Sequence, residues 1–95
     1  MRIWQHCSMA TYYPGADAAE VQPCVVKISD GEILVEYQGD GLVQYRGPSL
    51  GTGHYSLEAP AVDGRASLHG FAGSTLLEGS WVQGSYRGMW KIELA

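Results

Sequence analysis

The spacing of apolar and polar residues predicts short antiparallel strands joined by tight turns. Residues 75–94 fit a hairpin whose two-residue turn is Gly84-Ser85, a turn type that favours glycine in the first position. Each of the two tryptophans in this hairpin then faces a glycine, and a shift of one residue would separate both pairs. The predicted cross-strand pairs are Gln83–Tyr86, Trp81–Gly88, Gly79–Trp90, Glu78–Lys91 and Leu77–Ile92.

Two more hairpins are predicted upstream. Asp30-Gly31 is a type I′ turn signal, and Gly39-Asp40-Gly41 fits a three-residue loop that ends in a left-handed glycine. The predicted pairs are Ser29–Glu32, Ile28–Ile33, Tyr37–Val43 and Val35–Tyr45. One face of these strands is wholly apolar and the other carries charged residues, which is typical of a sheet buried on one side.

Three segments have less regular patterns. Residues 2–12 carry apolar side chains on both faces, which predicts a strand buried on both sides. Residues 13–23 are expected to be a surface connection. Residues 47–53, with the sequence GPSLGTG, are expected to be the most flexible part of the chain because three glycines and a proline fall within seven residues.

A further hairpin is expected between His54 and Phe71. Its first strand is predicted over 54–59 and its second over 65–71, with a four-residue loop at 61–64. This register places Tyr55 opposite Gly70, which would repeat the pairing of an aromatic ring with a glycine.

These strands together predict a single all-β domain over residues 1–95. The connections from Cys24 onward suit antiparallel neighbours, so we expect an up-and-down meander of seven or eight strands in a closed or nearly closed barrel. Closure would remove strand edges that a tyrosine-rich sheet could not safely expose. The alternative is a two-sheet sandwich or roll, in which the first and last strands would be unpaired.

Composition narrows the classes of function. A net charge of −4, with only six Lys and Arg residues, argues against nucleic acid as a partner. No signal-peptide pattern and no apolar run of membrane-spanning length occurs, so a soluble cytoplasmic protein that does not bind membranes is expected. Cys7 and Cys24 lack metal-ligand spacing, so we predict buried thiols and no cofactor.

The best polar cluster predicted from the sequence comprises His54, Ser56, Glu58 and His69, on the outward face of adjacent strands. In the predicted register Ser56 lies opposite His69, and His54 lies diagonal to His69. The two imidazoles would be able to approach a shared ion, which is the basis for a metal-binding or enzymatic hypothesis. Ordinary surface histidines are the favoured interpretation, so no resident metal and no catalytic residue are predicted.

Five aromatic side chains are predicted to point inward, where they would fill the core or line a pocket for a flat apolar ligand. Core filling is favoured, because a domain this small needs the volume. The five residues are Tyr37, Tyr45, Tyr55, Trp81 and Trp90.

A second apolar surface is predicted on the outer side of the last hairpin. Leu76, Val82 and Met89 lie there, and Phe71 and Leu34 are candidates to join them. Either the N-terminal segment or a second subunit would cover such a face. We therefore expect a binding or interaction protein whose partner is another protein, a second copy or a small apolar ligand. The alternative is a small enzyme or metal-binding protein centred on His54 and His69.

Overall fold

The computed structural model describes residues 1–95 as eight antiparallel strands in one closed barrel, with neighbours in chain order. The strands are β1 (Arg2–Tyr12), β2 (Glu20–Ser29), β3 (Glu32–Gly39), β4 (Gly41–Gly51), β5 (His54–Ala59), β6 (Gly64–His69), β7 (Leu76–Gln83) and β8 (Tyr86–Glu93). A 3₁₀ helix (Pro60–Val62) joins β5 to β6. Because β1 pairs with β8, the predicted meander barrel is confirmed and the sandwich is excluded.

The predicted register of the β7–β8 hairpin is confirmed, with Trp81 opposite Gly88 and Gly79 opposite Trp90. A Cβ atom at Gly88 would overlap the main-chain carbonyl of Tyr12 on β1 and would also lie 2.8 Å from Cζ2 of Trp81, so the neighbouring strand and the indole ring both require glycine here. Gly79 has a different neighbour, because an added Cβ atom would overlap the main-chain carbonyl of Ser67 on β6. At that position the close approach of the next strand, and not the indole, requires glycine.

The registers of the β2–β3 and β3–β4 hairpins are also as predicted. The type I′ turn is wrong, however, because Gly31 has a φ of 82° and Asp30 has no positive φ. A type I′ turn needs positive φ at both central residues, which is costly for a residue with a Cβ atom. Gly41 has a φ of 99°, in agreement with the predicted loop.

The predicted register between β5 and β6 is wrong by two residues. Tyr55 pairs with Leu68 and not with Gly70, and Ala59 pairs with Gly64. The cause is the connection, where the 3₁₀ helix and a left-handed Asp63, with a φ of 52°, turn the chain one residue earlier than expected. An even shift leaves every side chain on its predicted face.

The prediction that residues 2–12 are buried on both sides is also wrong. A bulge between Trp4 and Cys7 resets the alternation, so that Trp4, Cys7, Met9 and Thr11 all face the interior. Ile3 is left 46% exposed on the outer side. The strand therefore has one buried face, like the others in the barrel.

Two segments predicted as connections extend strands instead. Pro23 lies within β2 and pairs with Ser8, and β4 continues through the glycine-rich segment to Gly51. Both segments lack an apolar run, but closure of the barrel gives each a neighbouring strand. Pairing with that neighbour supplies main-chain hydrogen bonds, which stabilise a strand where the local sequence does not favour one.

The two ends of the barrel are built differently. One end, here called the mouth, is ringed by the turns that follow β1, β3, β5 and β7. The other, here called the closed end, carries the remaining turns and the C-terminus, where the Ala95 carbonyl accepts a hydrogen bond from the His6 amide at 2.9 Å. Between the ends, the free thiols of Cys7 and Cys24 lie opposite one another in the buried core. The structure has no helix of the length and hydrophobicity needed to cross a membrane.

Candidate functional site

An open cavity of about 590 Å³ occupies the mouth of the barrel. This volume lies within the range of small-molecule sites, and barrel mouths are a frequent place for them. Aromatic side chains form much of the wall, and a few polar groups are placed among them. The lining residues are Thr11, Tyr13, Glu20, Gln22, Tyr37, Gly39, Asp40, Val43, Val62, Trp81, Gln83, Tyr86 and Trp90.

Three contacts between aromatic rings fix the positions of the side chains in this wall. Trp81 and Trp90 are stacked, with ring centroids 6.2 Å apart and an interplanar angle of 28°. Tyr13 meets Trp81 edge-on at 5.6 Å, and Tyr37 meets Trp90 edge-on at 6.1 Å. The rings hold each other in place in arrangements that aromatic pairs prefer, so the wall is formed before any ligand arrives.

Tyrosine hydroxyls and one amide provide the hydrogen-bonding groups beside the rings. Oε1 of Gln83 accepts hydrogen bonds from the Tyr45 hydroxyl at 2.7 Å and from the Tyr37 hydroxyl at 3.3 Å. Burial, and then the neighbouring Tyr37, raises the pKa of Tyr45. Burial and the Glu20 carboxylate raise the pKa of Tyr13, whose hydroxyl lies 3.5 Å from that carboxylate. These phenols therefore stay protonated and neutral at physiological pH.

The inward aromatic residues both fill the core and line the mouth. Tyr45, Trp81 and Trp90 are almost fully buried, in agreement with the favoured prediction of core filling. Trp81, Trp90 and Tyr37 also border the cavity, so the two predicted roles are not exclusive. Tyr55 does not take part, because it lies near the closed end.

Sequence reasoning missed several residues of the mouth, including Tyr13, Glu20, Gln83 and Tyr86. A usable signal was present, because alternate turns of an up-and-down barrel lie at the same end. Inward-facing residues next to the turns after β3 and β7 must therefore gather at one opening. The position of Tyr13 was not accessible in this way, since it depends on the path of the connection between β1 and β2.

On the outer wall, the structure brings together most of the residues predicted as a site. A groove of about 550 Å³ runs beside β5–β8, lined by Thr52, His54, His69, Gly70, Phe71, Ala72, Ser74, Leu76, Glu78, Gly79 and Met89. His54 and His69 are direct cross-strand partners and not diagonal neighbours as predicted, with their Nδ1 atoms 2.7 Å apart. Phe71 is 90% exposed and Met89 51% exposed.

Ser56 and Val82 do not line this groove. Ser56 pairs with Ser67 and not with His69, and Val82 lies between Arg65 and Arg87 on the outer wall. Both residues lie farther along the strands toward the mouth.

Other polar groups considered for a metal or catalytic site at the two imidazoles lie elsewhere, and Glu78, the cross-strand partner of His69, is the one carboxylate in the groove. Glu58 is about 13 Å along β5 from His54 at the usual rise per residue. Cys24 is in the core. No group of three or more His, Cys, Asp or Glu side chains is placed to hold a metal ion.

The N-terminal segment does not cover the outer apolar face. β1 is a strand of the barrel wall, with its own places beside β2 and β8. It extends the surface instead, since Tyr12 pairs with Met89 and is itself exposed. Leu34 is buried on β3 and does not join this surface.

Comparison with known protein families, with curated proteins and with solved structures found no significant match. The function is therefore inferred from the geometry of the two sites. The mouth offers stacking surfaces and neutral hydrogen-bond donors, and its lining contains no histidine, cysteine, serine, lysine or arginine. Such a lining is suited to holding a planar molecule.

Proposed function

We propose that this protein is a small-molecule binding protein whose site is the barrel mouth. The observation that carries the proposal is the open cavity of about 590 Å³ with Trp81 and Trp90 in its wall. Trp81 and Trp90 are only 6% and 3% exposed, so they form the fixed base of the cavity, and a planar ligand would stack mainly on the more accessible rings of Tyr13 and Tyr86. Preorganisation of this kind reduces the entropy lost on binding.

Titration with planar bicyclic probes of different charge tests this proposal. Isoquinoline, N-methylisoquinolinium and naphthalene-2-sulfonate are added in turn, and the indole N–H resonances of the protein are followed by NMR. We expect at least one probe to shift the Trp81 and Trp90 resonances saturably while leaving Trp4, at the closed end, unchanged. Shifts confined to Trp4, or no saturable shift with any probe, would refute a binding site at the mouth.

Two exposed aromatic residues provide a matched pair of variants. Tyr86 lines the mouth and is 70% exposed, so Y86A should weaken binding several-fold without unfolding the barrel. Phe71 is 90% exposed but lies on the outer groove, so F71A should leave the affinity unchanged. Equal loss of affinity in both variants would place the probe outside the mouth.

The outer groove supports a second candidate function, self-association with another copy of this chain. The favouring observation is that β1 belongs to the barrel wall, which removes one of the two predicted covers for Phe71, Leu76 and Met89. An apolar surface that is used by a second copy would be buried in the dimer. The candidate residues Val82 and Ser56 would then lie toward the edge of the contact.

Sedimentation velocity over a range of protein concentrations tests self-association. We expect the unmodified protein to form a dimer that M89E disrupts. L42E is the control, because Leu42 is also exposed but lies on β4, across the barrel from β8. A monomer at every concentration, or equal disruption by both variants, would exclude this interface.

A further inference from the structure

The charged side chains that line the mouth are of one sign. Glu20 and Asp40 are the only ionisable acids or bases in its lining other than tyrosine, and no Lys, Arg or His borders the cavity. Asp17 and Asp63 add two carboxylates in the connections at this end of the barrel. A cleft lined by one sign of charge attracts ligands of the opposite sign.

The basic residues of the chain are engaged or directed elsewhere. Lys27 lies 3.3 Å from the Glu36 carboxylate, and Arg46 lies 3.5 Å from Glu32. The Arg2 guanidinium lies over the ring of Trp4, 4.8 Å from its centroid, toward the closed end. The remaining three, Arg65, Arg87 and Lys91, occupy exposed positions on the outer face of their strands. Arg65 and Arg87 lie near the mouth end of their strands, but both occupy the outer face, so no cation of the protein lines the cavity.

The aromatic wall favours the same sign of ligand. Trp and Tyr rings attract a cation that lies over the ring face within about 6 Å of the centroid, and the attraction grows when water is excluded. Tyr13, Tyr37, Trp81, Tyr86 and Trp90 all border the cavity. Burial raises the pKa of Tyr13 and of Tyr37, so these two phenols stay neutral at neutral pH, and the fixed negative charge comes from the carboxylates at the rim.

We infer that the mouth binds an organic cation, either an alkylammonium group or an N-alkylated heteroaromatic ring, in contact with the tryptophan–tyrosine wall and facing Glu20. This inference rests on the proposed binding function and names its ligand class. An anion would meet two carboxylates and no compensating cation. A neutral planar ligand would gain the stacking but would leave the carboxylates unpaired with any charge.

Isoquinoline and N-methylisoquinolinium test this preference directly, because they have nearly the same shape and differ in charge at mildly alkaline pH. We expect the cation to bind about tenfold more tightly or better. Added salt should reduce the difference, since the rim carboxylates are exposed. Equal affinities, or tighter binding of naphthalene-2-sulfonate, would overturn the cation preference.

Two carboxylate variants locate the source of the preference. E20Q and D40N should each reduce the ratio of cation to neutral affinity about twofold or more. D30N is the matched control, because Asp30 occupies the neighbouring hairpin turn at the closed end. An unchanged ratio in both E20Q and D40N would refute the role of the rim.

The two proposals fail in different ways. If no probe shifts the Trp81 and Trp90 resonances, the binding function itself is refuted and the cation preference falls with it. If the neutral probe binds as tightly as the cation, the binding function stands and only the ligand class is wrong.

Discussion

The two ends of this barrel carry similar numbers of turns but leave very different openings. At the closed end, Trp4, Tyr55 and Leu94 pack together around a depression of only about 240 Å³, less than half the volume of the mouth. The C-terminal residues continue β8 in the wall at that end, where the Leu94 amide donates a hydrogen bond to the Thr75 carbonyl at 2.7 Å.

The difference does not follow from turn length alone, because the longest connection, residues 13–19, is at the mouth. The turns after β3 and β7 contain one or two residues, which is too short to fold over the barrel axis. Tyr37, beneath these turns, is left half-buried. At the closed end, the large side chains of Trp4, Tyr55 and Leu94 and the connection between β6 and β7 occupy the equivalent space. Added or removed atoms should therefore have smaller effects at the mouth than elsewhere.

The largest expected difference in unfolding free energy is between substitutions at two glycines of the same hairpin. A Cβ atom at Gly47, in the half of β4 toward the closed end, would overlap the main-chain carbonyl of Ser56, so G47A should lower the free energy of unfolding by about 3 kcal/mol or more. At Gly39, near the mouth, the nearest atom to an added Cβ is Cγ2 of Val43 at 3.3 Å. We expect G39A to cost less than about 1 kcal/mol, because a side chain can move where a backbone cannot.

Urea denaturation of the two variants checks this prediction. The midpoint should fall clearly for G47A and little for G39A, with unchanged slopes. Similar losses for both would mean that the wall at the mouth is as tightly packed as the wall near the closed end.

A smaller contrast is expected between two valines. Val26 is fully buried in the core, and V26A should cost about 2 kcal/mol because it leaves a cavity that the surroundings fill poorly. Val43 borders the open mouth, where water can occupy the space left by the methyl groups, so V43A should cost about half as much. Thermal and urea unfolding of both variants provide the measurement, and a larger loss for V43A would contradict an open mouth.

The last contrast concerns the buried core between the ends, and it has no effect at neutral pH. Burial, and then the neighbouring Cys7, raises the pKa of Cys24 to about 12. An unfolded cysteine titrates near pH ~8.5, so the unfolded chain loses this proton first as the pH rises. Stability from this group is complete below that value and is lost progressively as the pH approaches 12, at up to about 1.4 kcal/mol per pH unit.

Unfolding free energies measured at increasing alkaline pH test this dependence. C24A should decline less steeply than the unmodified protein, because the titrating thiol is gone. V26A removes a comparable volume from the same strand but keeps the thiol, so its slope should match the unmodified protein. An unaltered slope in C24A would show that Cys24 does not titrate differently on folding.

Local signals predicted the registers of three hairpins, because the position and length of each turn specify which residues oppose one another. The Trp81–Gly88 pair and the Tyr37–Val43 pair are examples. The β5–β6 register was inaccessible by this route, since the 3₁₀ helix at Pro60 and the left-handed Asp63 are not a standard hairpin turn. The apolar outer residues were placed on their face correctly, but only the structure gathers Phe71, Leu76 and Met89 with the two imidazoles in one groove.

The sequence by itself determined the all-β class, the meander and the inward face of most strands, because alternation and turn chemistry act between neighbours along the chain. The tertiary structure decided what closure of the barrel brings together from distant parts of the sequence. It paired β1 with β8, set Tyr13 and Glu20 beside Trp81 and Gln83, and left one end open. These features depend on which side chains and connections from distant parts of the chain meet in the barrel, and no local sequence pattern specifies those contacts.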